Sequence, residues 1–117
     1  MRLAIIGSRS FNDYERLKSV IFDLFRHECF RFNSIVSGGA SGADSLGAKF
    51  AKENGVSLKE YLPEWDKYGK SAAFKRNRTI IENSDCVLCF WNGISRGTED
   101  SIRIARELKK MTVIVYF

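Results

Sequence analysis

Five short apolar runs alternate with helical patterns along this chain, and that alternation constrains the fold more than any other feature. The runs predict strands at residues 3–6, 35–36, 56–62, 86–91 and 112–117. Apolar residues at three- and four-residue steps predict four helices, over residues 14–25, 43–51, 71–83 and 102–108. Residues 65–70 are polar and aromatic, and we predict that they form a loop that is a candidate lid. The order predicts an α/β fold, a mostly parallel five-stranded sheet with helices on both faces.

The composition is that of one domain spanning residues 1–117. The chain has 117 residues, 44% of them hydrophobic, which suffices for a single core. Its formal net charge of +5 favours an anionic partner, either a phosphorylated small molecule or nucleic acid. The apolar runs are too short for a signal peptide or a membrane span, and three cysteines do not suggest a disulfide framework. We therefore expect a cytoplasmic protein without a membrane partner.

Three glycine-containing turns follow predicted strands, at residues 7–9, 37–44 and 92–98. In a parallel sheet such turns share the carboxyl edge, where ligands of open α/β sheets bind. The second turn has three glycines in five positions, Gly38, Gly39 and Gly42, which is typical of a backbone that cradles phosphate. It lacks the Walker lysine, because Ala48 stands in that place, and it lacks the dinucleotide pattern Gly-x-Gly-x-x-Gly. The turns therefore predict a phosphate pocket that is neither a Walker loop nor a dinucleotide-binding site.

The same turns carry a family resemblance. Residues 7–9, 37–44, 76–78, 84–85 and 90–98 together resemble the YspA-related branch of the SLOG superfamily. That superfamily includes the lonely-guy phosphoribohydrolases and the DNA-processing protein of the Smf/DprA type. The resemblance implies a Rossmann-like three-layer α/β/α fold and a nucleotide-related ligand. It does not by itself imply an activity.

Comparison with the phosphoribohydrolases shows where this chain departs from an enzyme. Their arginine is kept as Arg76, but Asn77 replaces the lysine beside it. Their later motif ends in a glutamate thought to act in cleaving the N-glycosidic bond, and Ser101 stands there instead. Glu99 or Asp100 are the tentative replacements, with Arg76 as the third catalytic candidate. The resemblance leaves turnover open.

The candidate ligand-binding residues come from the turns, from the predicted helix that follows the lid and from the lid itself. They are Gly7, Ser8, Arg9, Ser37, Gly38, Gly39, Ala40, Ser41, Gly42, Asp44, Trp65, Tyr68, Arg76, Asn77, Arg96, Gly97 and Thr98. Backbone N–H groups, hydroxyls and arginines would bind phosphate. Asp44 would either accept from a ribose hydroxyl or pair with a helix dipole. Trp65 and Tyr68 would either stack on a base or pack over the sheet edge.

Two other patterns predict no chemistry. Cys86 and Cys89 have the Cys-x-x-Cys spacing, but an offset of three along a strand sends the sulfurs to opposite faces. His27 is the sole histidine and lies far from the turns in sequence. We therefore expect no metal and no cofactor.

Three functions follow as hypotheses. The first is binding of a nucleotide or nucleotide-derived molecule at the sheet edge, and the second is nucleoside monophosphate N-glycosidase activity. The third is single-stranded nucleic-acid binding of the DprA kind, suggested by the net charge, Trp65 and Tyr68. The basic residues are spread along the sequence without a dense run, which weighs against the third hypothesis. A homo-oligomer is a further possibility.

Overall fold

The computed structural model describes residues 1–27 and 31–117. Its strands are β1 (Arg2–Gly7), β2 (Ser34–Ser37), β3 (Ser57–Glu60), β4 (Cys86–Trp91) and β5 (Met111–Tyr116). Its helices are α1 (Tyr14–Phe25), α2 (Ala43–Glu53), α3 (Trp65–Tyr68), α4 (Ala72–Glu82) and α5 (Arg96–Glu107), and a 3-10 turn, Gly69–Ser71, joins α3 to α4.

The five strands form one sheet in the order β3-β2-β1-β4-β5, and every neighbouring pair is parallel. The chain moves outward from β1 to β3, then crosses back and continues on the other side with β4 and β5. The strand order therefore reverses between β1 and β4, where Gly7 pairs with Phe90. Loops leaving the carboxyl ends at such a reversal diverge and open a crevice.

Helices cover both faces of the sheet, as the sequence predicts. Leu17 and Ile21 of α1 and Phe50 of α2 pack in one apolar cluster with Leu3, Ile5 and Leu88. Ile80 and Ile81 of α4 and Ile102 and Ala105 of α5 pack in the other with Ala4, Ile6 and Val87. β1 and β4 supply residues to both clusters in alternation, because successive side chains of a strand point to opposite faces. Their near-continuous apolar sequences follow from burial on both sides.

The same alternation separates the two strand cysteines. Cys86 belongs to the first cluster and Cys89 to the second, and both are buried. The Cys-x-x-Cys spacing thus places the sulfurs on opposite faces of the sheet, as predicted.

Residues 65–71 correct the prediction of a loop at residues 65–70. They form α3 and the 3-10 turn instead of an irregular loop, and none of their residues is buried. The predicted fifth strand, third strand and last helix exist, but β3 is shorter than predicted and α5 begins at Arg96, inside the predicted turn. Asp13 is the N-cap of α1, and its side chain accepts a hydrogen bond from the Arg16 backbone N–H at 3.0 Å.

Candidate functional site

A cleft of about 430 Å³ lies at the carboxyl edge of the sheet, where the strand order reverses. Residues of all three predicted turns line it, together with residues from the first two turns of α4 and of α5. Its lining residues are Ile6, Gly7, Ser8, Arg9, Ser10, Ala40, Asp44, Ala73, Arg76, Asn77, Asn92, Ser95, Gly97, Thr98 and Ser101. The sequence therefore predicts the convergence of the turns.

The β1 and β4 turns are held together by the backbone and by Ser8. The Ser8 N–H donates to the Phe90 carbonyl at 2.8 Å, and the buried Ser8 hydroxyl accepts from the Asn92 N–H at 3.3 Å. A Cβ at Gly7 would overlap the Phe90 carbonyl oxygen and the Ala43 side chain. Glycine is needed at this position because the β1 turn passes directly between β4 and the start of α2.

Asp44 organises the glycine-rich turn. Its buried carboxylate accepts the Gly38 N–H at 3.1 Å, and backbone hydrogen bonds from Ala40, Gly38 and Gly7 lower its pKa. Burial has the larger, opposite effect and raises the pKa of Asp44 to about 6. The glycine-rich turn is predicted to direct its backbone N–H groups at a phosphate, but the Gly38 N–H donates to the Asp44 carboxylate instead. Asp44 also lies in the first turn of α2, where a carboxylate can pair with the helix dipole as predicted, and its ribose role stays a prediction.

Arg76 links α4 to the glycine-rich turn. Its Nη1 donates to the Gly38 carbonyl at 2.6 Å, and its Nε donates to the Asn77 side-chain oxygen at 3.0 Å. Burial lowers the pKa of Arg76, Asp44 raises it, and the nearby charge of Arg9 lowers it. The cleft therefore holds two like-charged guanidinium groups near one buried carboxylate. Two positive charges that line one cleft repel each other, and an anion bound between them would offset this repulsion.

The N-terminus of α5 forms the opposite wall. Its N-cap, Ser95, makes no side-chain capping hydrogen bond, because its hydroxyl lies 3.2 Å from the Thr98 hydroxyl. The Asn92 side-chain oxygen fixes the preceding turn by accepting from the Ile94 and Ser95 N–H groups, both at 2.9 Å. The first N–H groups of a helix have no partner within it. In α5 these include the N–H groups of Gly97 and Thr98, two residues that line the cleft.

Several predicted site residues lie outside this lining. Ser37 is buried and its hydroxyl donates to the Asp44 backbone carbonyl at 3.1 Å. Gly38 donates its N–H to the Asp44 carboxylate and accepts from Arg76 with its carbonyl. Gly42 is the N-cap of α2 with a φ of +80°. Gly39 and Ser41 are exposed.

The two carboxylates proposed for catalysis are also outside the cleft. Glu99 and Asp100 line a separate cavity together with Arg96, and Asp100 accepts from Arg103 at 2.6 Å. Ser101, at the position of the hydrolase glutamate, does line the cleft, but its hydroxyl donates to the Gly97 carbonyl at 3.2 Å.

Trp65 and Tyr68 are not among the residues that line the cleft. Their exposed fractions are 53% and 37%. Tyr68 lines a small cavity of about 140 Å³ whose wall also includes Arg76. Arg76 thus separates the cleft from this second hollow.

Six lining residues are absent from the predicted ligand-binding set, namely Ile6, Ser10, Ala73, Asn92, Ser95 and Ser101. Asn92 and Ser95 had a readable signal, because Asn followed by Gly and Ser is typical of a side-chain-stabilised turn. Within the described residues, no group of His, Cys, Asp and Glu side chains is arranged to hold a metal ion. Among those residues, too, no helix is both long and apolar enough to cross a membrane.

The fold and the cleft define a Rossmann-like α/β domain with its candidate site at the reversal of strand order. A sequence model of the YspA, cpYpsA-related SLOG family matches residues 1–68, which is more than half of the chain. The chain therefore belongs to that family, and the resemblance read from its turns is confirmed.

A solved structure supports the fold over nearly the whole chain. DNA processing protein A from Helicobacter pylori, described for its single-stranded DNA binding mode, is similar with a TM-score of 0.72 and 23% sequence identity. The match covers 97% of this chain and 64% of that one, so this chain spans less than two thirds of the length of that chain. The comparison with curated proteins gives no significant match.

Proposed function

We propose that this protein binds a nucleotide or nucleotide-derived ligand in the cleft, with its phosphate between Arg9, Arg76 and the N-terminus of α5. The observation that carries the proposal is the pairing of two arginines in one cleft. Burial and the charge of Arg9 both destabilise the Arg76 guanidinium, and Asp44 offsets only part of this. An anionic ligand would supply the missing negative charge.

The phosphate would contact α5 rather than the glycine-rich turn. The Gly38 N–H donates to Asp44 at 3.1 Å, whereas the N-cap Ser95 makes no side-chain hydrogen bond to the first N–H groups of α5 on the opposite wall. The Thr98 hydroxyl lies on the same wall. A twelve-residue helix also contributes the positive end of its dipole. The glycine-rich turn then serves to place Arg76 and Asp44.

Family membership and the structural neighbour agree with this chemistry. The neighbour is described for binding single-stranded DNA, whose phosphates and bases are those of a nucleotide. The location of the cleft at the reversal of strand order is where α/β sheets usually bind such ligands.

N-glycosidic hydrolysis is the less favoured candidate. The carboxylates proposed for it, Glu99 and Asp100, line another cavity, and Asp44 is committed to holding the glycine-rich turn. Chromatographic detection of free base from a panel of nucleoside monophosphates would establish turnover. If it were found, Asp44 would be the first carboxylate to replace.

Thermal unfolding with a panel of nucleoside mono-, di- and triphosphates tests the binding proposal. A ligand at about 100 times its dissociation constant stabilises a protein by about 2.7 kcal/mol. Arg76→Gln should abolish most of the ligand-induced shift. The matched control is Arg26→Gln, which removes an arginine that is 79% exposed at the end of α1 and should keep the shift.

Arg76→Gln also removes a hydrogen bond to Gly38, so only the ligand-induced shift is compared, not the midpoint itself. Arg9→Gln, at an exposed position of the cleft, provides a second variant that leaves that bond intact. Equal shifts in the wild type and both cleft variants would refute the proposed site.

A further inference from the structure

Residues 65–78, from the start of α3 into the second turn of α4, carry an unusual share of the charge. They contain five basic residues, Lys67, Lys70, Lys75, Arg76 and Arg78, and one acidic residue, Asp66, for a net charge of +4. The remainder of the chain has fourteen basic and thirteen acidic residues, a net charge of +1. Most of the excess charge therefore lies in this one segment, which we call the basic ridge.

The basic ridge also exposes aromatic side chains. Trp65 is 53% exposed, Tyr68 37% and Phe74 49%. α3 and the 3-10 turn after it contribute no buried residue, although they contain a tryptophan and a tyrosine. Core packing therefore does not account for these rings. Exposed aromatic groups next to charge are typical of a surface that binds a partner.

Charge and rings lie side by side on the basic ridge. The ammonium groups of Lys67 and Lys75 lie 5.1 and 4.8 Å from the centre of the Tyr68 ring. Lys70 and Arg78 are exposed nearby in the sequence, and Leu62, 65% exposed, precedes α3. Alternating cations and flat apolar groups match a ligand that alternates phosphates and bases.

The basic ridge is continuous with the cleft. Arg76 lines the cleft on one side and, on the other, the small cavity that Tyr68 and Lys75 also line. A ligand longer than one nucleotide could thus pass over Arg76 from the cleft to Tyr68. Mononucleotide binding needs only the cleft, and leaves the charge and the rings of the basic ridge unused.

We infer that the basic ridge binds single-stranded nucleic acid, with bases stacked on Trp65 and Tyr68 and phosphates beside Lys67, Lys70 and Lys75. The inference rests on the proposed function, since one phosphate of the strand occupies the cleft at Arg76. DNA and RNA share the chemistry that the basic ridge recognises.

Fluorescence anisotropy with labelled oligothymidylates and oligouridylates of about 4 to 16 nucleotides, the usual range of site sizes, tests the inference. Affinity should rise with length over this range. Trp65→Ala combined with Tyr68→Ala should weaken oligonucleotide binding about tenfold or more and leave mononucleotide binding unchanged. The two polymers are measured in parallel, and a preference for one identifies the natural source.

A charge-matched pair of variants separates the basic ridge from overall basicity. Replacing Lys67, Lys70 and Lys75 by Gln should reduce the slope of log affinity against log salt by about 2. Replacing Lys49, Lys52 and Lys109, which are exposed elsewhere, removes the same charge and should leave most of the slope. Equal losses in both triple variants would overturn the inference.

The two proposals fail separately. If mononucleotides bind but affinity does not rise with the length of the strand, the inference about the basic ridge is wrong and the proposed cleft site stands. Strand binding that depends on Tyr68 but not on Arg76, with no mononucleotide binding, would overturn the cleft and keep the basic ridge as a surface.

Discussion

Asp44 should make the protein less stable as the pH rises through the range in which this carboxyl ionises. The pKa of Asp44 is raised from 3.8 to about 6 in the folded protein, chiefly by burial. Between these two values the folded protein keeps a proton that the unfolded chain has lost, so stability falls with increasing pH. The stabilising effect is complete below about pH 4 and absent above about pH 6.

The size of the effect follows from the shift. A difference of about two pKa units corresponds to about 3 kcal/mol, since one unit is about 1.4 kcal/mol. Asp44→Asn removes the titration while keeping the shape of the side chain and an oxygen that can accept the Gly38 N–H. The constant cost of the substitution cancels when the two proteins are compared at several pH values.

The assay is urea unfolding of wild type and Asp44→Asn at intervals from pH 4 to pH 7. The stability of wild type relative to the variant should decrease by about 3 kcal/mol across that range. A flat difference would mean that burial does not outweigh Arg76 and the backbone N–H groups. A difference that rises with pH would show that those groups lower the pKa of Asp44 instead.

Three further outcomes follow from the same structure. Gly42→Ala should lower the free energy of unfolding by at least about 2 kcal/mol, because its φ of +80° strains alanine and the new Cβ would lie 2.6 Å from the Arg9 Cα. The control, Gly55→Ala, has a φ of +64° in open space and should lower it by about 1 kcal/mol. Equal losses for the two variants, measured by denaturant unfolding, would contradict this prediction. Burial raises the pKa of the Cys89 thiol to about 12, so mass spectrometry should find it unmodified by iodoacetamide at pH 8 until urea unfolds the protein, and rapid native alkylation would count against the packing. A phosphodiester dinucleotide should bind wild type more tightly below pH 6, because protonation of Asp44 removes a negative charge from the cleft. Its affinity for Asp44→Asn should not depend on pH, as measured by calorimetric titration. The same pH dependence in both proteins would show that Asp44 does not affect ligand binding.

Most of the fold is predictable from the sequence because both sides of the sheet are buried. Runs such as Cys86–Trp91 are apolar throughout, and the stripes of α1 and α5 have helical spacing. The sequence predicts a loop at residues 65–70, because the helical turns that form there have no buried stripe. A helix that contacts the core weakly leaves no periodic signal.

The location of the site follows from topology, but its internal contacts do not. Three turns at the carboxyl edge must converge once the sheet is parallel. Which groups satisfy one another there depends on distances that sequence does not carry, such as the 2.6 Å contact from Arg76 to the Gly38 carbonyl. A glycine-rich turn that folds around Asp44 has the same sequence pattern as one that folds around phosphate.

The central claim is that the cleft holds the phosphate of a nucleotide. A crystal structure of the protein soaked with a nucleoside monophosphate tests it most directly. The phosphate should lie within hydrogen-bonding distance of the Arg76 guanidinium and the Thr98 N–H or hydroxyl, at the N-terminus of α5. A nucleotide bound elsewhere with the cleft empty, or with its phosphate turned away from Arg76, would contradict the claim.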